Sequence, residues 1–150
     1  MEKLLCKKFE ELLPIELYNI LKLRSEVFVV EQNCVYQDMD DKDILAHHVM
    51  FYDQDELAAT TRLLAPGISY DNYSSIGRVC SQPKLRSKGF GRKIMSESIH
   101  IIENLYPGFD IKISAQSYLQ KFYFDFGFLR LGEEYLEDNI PHVAMIRKRK

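Results

Sequence analysis

The sequence predicts a mixed α+β fold built on one central sheet. The predicted elements follow the order β-α-β-β-β-α-β-α-β-β, in which strands and helices are interspersed. The chain has 150 residues, the size of one domain that can bury a core, and no internal repeat or linker divides it. Hydrophobic residues make up 46% and charged residues 28%, as in an ordinary globular protein. We therefore expect a single domain over residues 1–150.

A strand and a long helix begin the chain. Residues 4–9 have strand composition, and Pro14 lies where the first turn of a helix tolerates proline. The helix is predicted to run to about Val30, because apolar residues recur at helical spacing; they are Leu17, Ile20, Leu21, Val27 and Phe28. Arg24 falls on the same face, where a buried charge is costly unless it has a partner.

Three strands follow this helix. After a polar loop over residues 31–43, strands are predicted at 44–52 and 56–64, and Asp53-Gln54-Asp55 between them indicates a hairpin turn. A further strand is predicted at 75–81. The remaining elements are, in order, a helix over 89–105, a strand over 110–115, a helical stripe over 119–126 that Gly127 can cap, and two strands over 128–131 and 142–147.

Composition and charge exclude several classes of protein. No apolar run approaches the roughly 20 residues of a transmembrane helix, and the apolar start of the chain is too short for a signal peptide. The net charge of −2 provides no electrostatic footprint for nucleic acid. Cys6, Cys34 and Cys80 are too scattered for a disulfide framework or a metal site, so we expect buried apolar residues there. We expect a cytoplasmic protein without a metal, a membrane or a nucleic-acid partner.

The charged residues are unevenly distributed along the chain. One loop is acidic (Asp38, Asp40, Asp41 and Asp43), and a later segment is basic (Lys84, Arg86, Lys88, Arg92 and Lys93). The basic segment indicates an anionic ligand, and the acidic loop is consistent with a cationic one.

The turn Arg86-Ser87-Lys88-Gly89-Phe90-Gly91 leads from a predicted strand into a predicted helix. Free N–H groups at a helix N-terminus bind phosphates, glycines let a ligand approach the main chain, and arginine contacts phosphate through two N–H groups. The turn lacks the Gly-Lys-Ser/Thr end of a P-loop and the third glycine of a dinucleotide fingerprint. A phosphate ligand other than a nucleoside triphosphate is therefore favoured. Alternatively, the glycines only start a helix and the basic residues form a solvated face.

This turn resembles the RxxGxG motif by which GNAT-type N-acetyltransferases hold the pyrophosphate of coenzyme A. Further along the chain, Tyr123-Phe124-Asp125-Phe126-Gly127-Phe128 is similar to their Y-x-x-x-G-F motif, with the same order of strand and helix. Other segments resemble the ElaA subfamily, so that the similarity covers nearly the whole chain; they are residues 24–32, 36–38, 76–79 and 140–142.

The resemblance implies a GNAT-like fold and a cofactor. The central sheet would be mixed, mostly antiparallel, flanked by helices and splayed between its fourth and fifth strands, near residues 79–81 and 112–115. Acetyl-CoA would lie in that cleft, and an amine would attack its thioester directly. The residues implied to bind the cofactor are Val79, Cys80, Ser81, Arg86, Ser87, Lys88, Gly89, Phe90, Gly91, Arg92 and Gln116.

The reaction needs an acid for the departing thiolate and a base for the amine. The resemblance implies Tyr123 as the general acid, although its place in an apolar stripe also fits a core aromatic. Glu31, which follows the first helix, is our first choice for the base. Contact with the substrate is predicted for Arg24, Asp38, Asp40, Arg78 and His142. The two arginines could instead pair with buried carboxylates, and the histidine could face the core.

Two other functions stay open at this point. Arg24-Ser25-Glu26-Val27-Phe28, with Asp40 and Asp43, is similar to the start of acyl-homoserine-lactone synthases, which share the fold. A CoA-binding module without turnover is the other, and the presence of Tyr123 argues mildly against it. The acceptor, a small-molecule or peptide amine, is not identified by the sequence. Edge strands at the C-terminus could pair two subunits as a homodimer.

Overall fold

The computed structural model describes residues 1–149 and contains one mixed sheet. Its strands are β1 (Glu2–Lys8), β2 (His47–Asp53), β3 (Glu56–Leu64), β4 (Tyr73–Ser81), β5 (Asp110–Gln116), β6 (Leu129–Glu137) and β7 (Ile140–Arg147). They are arranged in the order β1-β2-β3-β4-β5-β7-β6. Only β4 and β5 are parallel neighbours; the other neighbours are antiparallel. The predicted mixed, mostly antiparallel sheet is confirmed.

Three α-helices flank the sheet in the described chain: α1 (Pro14–Arg24), α2 (Phe90–Leu105) and α3 (Gln120–Phe124). Ile20 and Leu23 of α1 pack on one face, and Ile94 of α2 packs on the other, together with Tyr123 of α3. The sheet is therefore covered on both faces. No helix within residues 1–149 is both long and apolar enough to cross a membrane.

Three local predictions differ from the structure. The first helix becomes a π-helix over Ser25–Glu31. Residues 44 and 45, predicted to start a strand, belong instead to a 3-10 helix over Lys42–Leu45, because Asp43 points inward to ion-pair with Arg24. The last hairpin is longer than predicted, since Asp138 and Asn139, both with positive φ, make a tight turn between β6 and β7.

Strands β4 and β5 separate soon after they begin. Their pairing is limited to Tyr73 with Asp110 and Ser74 with Ile111, both at the start of the strands. On its other side β4 carries a bulge, since Thr60 pairs with Cys80 but Arg62 pairs with Gly77. The bulged strand bends there. The predicted splay between the fourth and fifth strands is confirmed.

A buried ion-pair network anchors the loop between α1 and β2. Arg24 is only 1% exposed, and its guanidinium donates to Asp38 Oδ2 at 2.8 Å and to both oxygens of Asp43 at 2.7 and 3.1 Å. Arg62 on β3 adds bonds to Asp43 at 3.1 Å and to Asp40 at 2.6 Å. Burial alone would raise the pKa of Asp43, but the two guanidinium groups hold it below its ordinary value. The Asp43 carboxylate is therefore charged and is held by both arginines.

Replacing the central arginine tests this network. Arg24→Met leaves two buried carboxylates without their main partner, which we expect to lower the free energy of unfolding by about 3–5 kcal/mol. Urea unfolding followed by circular dichroism measures the change. Asp41→Asn, in the same loop but exposed, is the matched control and should stay within about 0.5 kcal/mol of the parent. Equal stability of Arg24→Met and the parent would contradict the assignment.

Candidate active site

A cavity of about 520 Å³ lies where β4 and β5 separate. Residues 76–81 of β4 form one wall, and Ile113, Ser114 and Gln116 of β5 form the opposite wall. The cavity follows directly from the divergence of the two strands, because paired strands would leave no space between their backbones.

The cavity connects the two faces of the sheet. Ile113 belongs to the core that α2 covers, so the alternation of side chains along a strand directs Ser114 and Gln116 to the opposite face. Gly91 and Tyr123 border the cavity from the α2 and α3 side. The opposite side is bordered by Glu31, Gln32, Glu137, Asp138 and His142, among others. We call the region next to α2 and α3 the helix side of the cavity and the opposite region the loop side.

On the helix side the chain enters α2 through a tight turn. Gly89, with φ +77°, ends a 3-10 helix over Pro83–Lys88 and precedes the first residue of α2. Such a left-handed conformation favours glycine. The first N–H groups of an α-helix have no intrahelical acceptor, and no atom lies within 4 Å of a Cβ built at Gly91. No other segment among residues 1–149 therefore covers the start of α2 at Gly91, and the anion site predicted from the glycines stays a prediction.

The side chains of this turn differ in position. Arg86 borders the cavity, and its guanidinium donates to both Glu31 oxygens, at 2.7 and 2.6 Å. Ser87 and Lys88 are exposed. Phe90 is buried against Phe51, so that only its backbone faces the turn. The exposed Arg92 lies over the Phe122 ring and donates to Asp125 at 3.0 Å.

Tyr123 is buried and borders the cavity. Its ring meets those of Phe122 and Phe128 edge-on, so that it packs as the core aromatic considered from the sequence. Its place at the cavity is compatible with the predicted role as general acid. Burial raises the pKa of Tyr123 above its ordinary value. The hydroxyl is therefore protonated at neutral pH and can donate a proton.

The bulge of β4 exposes backbone to the cavity. Arg78 has φ +49°, and neither Arg78 nor Val79 has a ladder partner on β3. The neighbouring Cys80 is buried, which raises the pKa of its thiol to about 12. Because the thiolate is the nucleophilic form, this cysteine is unsuited to covalent catalysis.

On the loop side, His142 lies on β7 between Gln116 and Tyr135 of the neighbouring strands. Its ring is buried, with Nδ1 2.7 Å from the Ile140 carbonyl oxygen and Nε2 3.5 Å from Glu137 Oε2. It faces the cavity rather than the core. Gln116 exchanges hydrogen bonds with Gln32 at 3.2 and 3.4 Å.

The other predicted substrate contacts lie elsewhere, with one exception. Arg24 is sealed inside the protein by its carboxylate partners, as in the structural alternative considered from the sequence. Asp38 is buried between Arg24 and Arg78. Burial would raise the pKa of Asp40, but Arg62 lowers it to about 2, and Asp40 does not border the cavity. Arg78 does border it, while pairing with Asp38 at 2.7 Å.

Sequence analysis overlooked two acidic residues of the site. Glu137 and Asp138 border the cavity at the β6–β7 turn. The signal that could have found them is Asp138-Asn139, a residue pair suited to a two-residue hairpin turn. Arg62, the second cation of the buried network, was also missed, because it lies within an otherwise apolar strand.

Comparison with known proteins agrees with this geometry. The family profile described as "Acetyltransferase (GNAT) domain" matches residues 16–149. The ElaA protein of Escherichia coli K12 is 39% identical over 140 residues, covering 92% of this chain and 91% of ElaA.

Two crystal structures superpose over nearly the whole chain. An acyl-CoA N-acyltransferase from Pseudomonas aeruginosa superposes with a TM-score of 0.92 at 39% sequence identity. E. coli ElaA superposes with a TM-score of 0.91 at 37% sequence identity. Each superposition covers 99% of this chain and 100% of the chain it is compared with. The resemblance found in the sequence is confirmed. With the splayed sheet, the open helix start and these relatives in agreement, the chain belongs to the GNAT acetyltransferase family, in the branch that includes ElaA.

Proposed function

We propose that this protein transfers the acetyl group of acetyl-CoA to a primary amine by direct attack. The observation that carries the proposal is the cavity that crosses the sheet, with an open helix start and Tyr123 on its helix side and acidic residues on its loop side. A thioester entering from one face can meet an amine entering from the other. Membership of an acyltransferase family supports an acyl-CoA as the donor.

The turn before α2 suits the pyrophosphate of coenzyme A. The N–H groups of Phe90 and Gly91 lie in the first turn of α2, after the left-handed Gly89, where an α-helix has no intrahelical acceptor for them. Arg86, Lys88 and Arg92, with the Ser87 hydroxyl, would supply positive charge and a further donor to a phosphate bound there. The pantetheine arm would follow residues 79–81 of β4, whose backbone beside the bulge is free to pair with it. A backbone N–H in this segment would stabilise the oxyanion that forms on the thioester carbonyl. Gln116 would hydrogen-bond the cofactor from β5.

The remaining groups supply proton transfer. Tyr123 would protonate the departing thiolate, and Glu31, on the loop side, stays a candidate for the base. Arg78 and His142 are the predicted substrate contacts that border the cavity and could reach the acceptor. The acceptor is a small-molecule or peptide amine.

The central experiment combines binding and turnover. Calorimetric titration with acetyl-CoA should give saturable binding, and a thiol-release assay should detect coenzyme A when a suitable amine from a panel of polyamines, amino sugars, amino acids and peptides is added. Absence of binding at millimolar acetyl-CoA would refute the proposal. Tight binding without release across the panel would favour a binding module, and dependence on S-adenosylmethionine would favour a lactone synthase.

A double-mutant cycle tests the pyrophosphate site. Arg86→Met removes a charge-assisted contact that contributes roughly 1.5–3 kcal/mol to binding. We therefore expect the affinity for CoA to fall about 10- to 100-fold. Glu31→Gln frees Arg86 from its competing carboxylate and should tighten binding, by up to about fivefold for a surface ion pair. The double variant should bind like Arg86→Met. Pantetheine, which lacks the pyrophosphate, should bind all four proteins alike, and wild-type CoA affinity in Arg86→Met would disprove the site.

A conservative substitution tests the acid. Tyr123→Phe keeps the buried ring but removes the proton, so kcat should fall about 100-fold or more while acetyl-CoA affinity changes by less than about twofold. Steady-state thiol release and calorimetry measure the two quantities. Tyr118→Phe is the matched control, because Tyr118 borders the same cavity but is largely exposed. An unchanged kcat in Tyr123→Phe would remove the acid role.

A further inference from the structure

We propose that His142 and Glu137 form the binding site for the acceptor's ammonium group, and that His142 Nε2 is the base that removes its proton. This inference rests on the proposed function and assigns the step for which the sequence offered only Glu31. The polar contacts of these two residues on the loop side of the cavity support it.

The backbone fixes the tautomer of His142. Its Nδ1 lies 2.7 Å from the Ile140 carbonyl oxygen. A carbonyl oxygen can only accept a hydrogen bond, so Nδ1 must carry the proton. In the neutral ring Nε2 then holds the free lone pair, and it is the nitrogen that can take a proton from a ligand. Stacking of the imidazole on the Tyr135 ring, with 6.2 Å between centroids, holds its plane.

Glu137 places a second acceptor beside this nitrogen. Its Oε2 lies 3.5 Å from His142 Nε2, while its Oε1 accepts a hydrogen bond from the Ser114 hydroxyl at 3.2 Å. When the imidazole is neutral, the lone pair of His142 Nε2 faces the carboxylate oxygen of Glu137 with no proton between them. An ammonium group, with three N–H donors, can satisfy both at once. Such an arrangement selects a protonated primary amine over a neutral alcohol.

Glu31 is less suited to this step than His142. Both of its carboxylate oxygens are occupied by the Arg86 guanidinium at 2.6 and 2.7 Å. As long as this ion pair persists, neither oxygen is free to take a proton from the acceptor. His142 Nε2 instead has only the neighbouring carboxylate, which stabilises the imidazolium that forms.

The proton balance of the reaction closes with these groups. The ammonium group gives one proton to Nε2 of His142, and the freed nitrogen lone pair forms the C–N bond at the thioester carbonyl. The C–S bond then breaks, and the thiolate takes a proton from Tyr123, which is restored by the second proton that the nitrogen loses. His142 releases its proton to solvent, so each turnover yields the amide, coenzyme A thiol and one proton.

Several titratable groups border the same space and define the electrostatic surroundings of the histidine. Glu137 and Tyr135 face it from β6. Around the rest of the cavity lie Glu31, Cys34, Tyr36, Arg78, Cys80, Arg86, Tyr118, Tyr123 and Asp138. The carboxylate of Glu137 is the charge nearest to Nε2, and its removal therefore offers a direct test.

A pair of acceptors separates base catalysis from other roles of His142. Ethylamine carries an ammonium group at neutral pH and needs a base, whereas the nitrogen of hydroxylamine is uncharged there and does not. In His142→Gln we expect kcat/KM for ethylamine to fall about 100-fold or more, and that for hydroxylamine to fall less than about tenfold. His100→Gln, an exposed histidine on α2, is the matched control and should retain both activities.

The pH dependence supplies an independent readout. Wild-type kcat/KM for ethylamine should fall toward acid as the base becomes protonated, and this acid limb should disappear in His142→Gln. In Glu137→Gln the KM for ethylamine should rise, because the ammonium group loses one of its two acceptors. Acetyl-CoA affinity measured by calorimetry, together with circular dichroism, verifies that the variants are folded.

The outcomes separate this inference from the proposed function. If the wild-type protein acetylates neither these two amines nor any amine of the panel above, both fail. If it acetylates them and His142→Gln keeps its ethylamine activity, or loses both activities equally, only the base assignment fails. Loss of ethylamine transfer in Glu31→Gln but not in His142→Gln would identify Glu31 as the base.

Discussion

The burial of Arg24 is the constraint on which the shape of the site depends. A guanidinium that is 1% exposed must be neutralised and hydrogen-bonded within the protein. Asp38 and Asp43 provide this from the loop after α1, and Asp38 also binds Arg78 at the bulge of β4. The loop, the helix and the bulged strand are thus tied together by one charged cluster. The loop side of the cavity is held in place by this network, of which Arg78 borders the cavity while Arg24, Asp38 and Asp43 do not.

The divergence of β4 from β5 turns that scaffold into a site. Two parallel strands that stayed paired would separate the helix side from the loop side completely. Because they separate after Ser74 and Ile111, a passage joins the two sides. Groups with different roles can then lie on different faces of the sheet around one cavity. Tyr123 and the helix start lie on one side, and His142 and Glu137 lie on the other. In the reaction proposed here, such a division would keep the acid and the base apart, so that each could hold the protonation state that its step requires.

Most of the fold was predictable, and the site was predictable in part. The hairpin at Gln54 and Asp55 and the face of α2 follow from local turn chemistry and helical periodicity. The 3-10 helix over residues 42–45 was missed, because the pairing of Asp43 with Arg24 overrides local propensity. The π-helix over Ser25–Glu31 was missed as well. The turn from Arg86 to Gly91 was located from glycines and charges alone. The pairing of Arg86 with Glu31, which lies 55 residues earlier in the chain, could not be predicted from the sequence.

The sequence by itself determined the family, the order of the elements, the open helix start and the need of Arg24 for acidic partners. These properties depend on local spacing, on residue type and on the cost of burying a charge. Tertiary structure decided which acidic residues pair with Arg24. It also decided that Asp40 pairs with Arg62 and lies away from the cavity. It also brought Glu137 and His142 together at the end of a hairpin. Contacts between distant segments depend on strand register and packing, which no local pattern records.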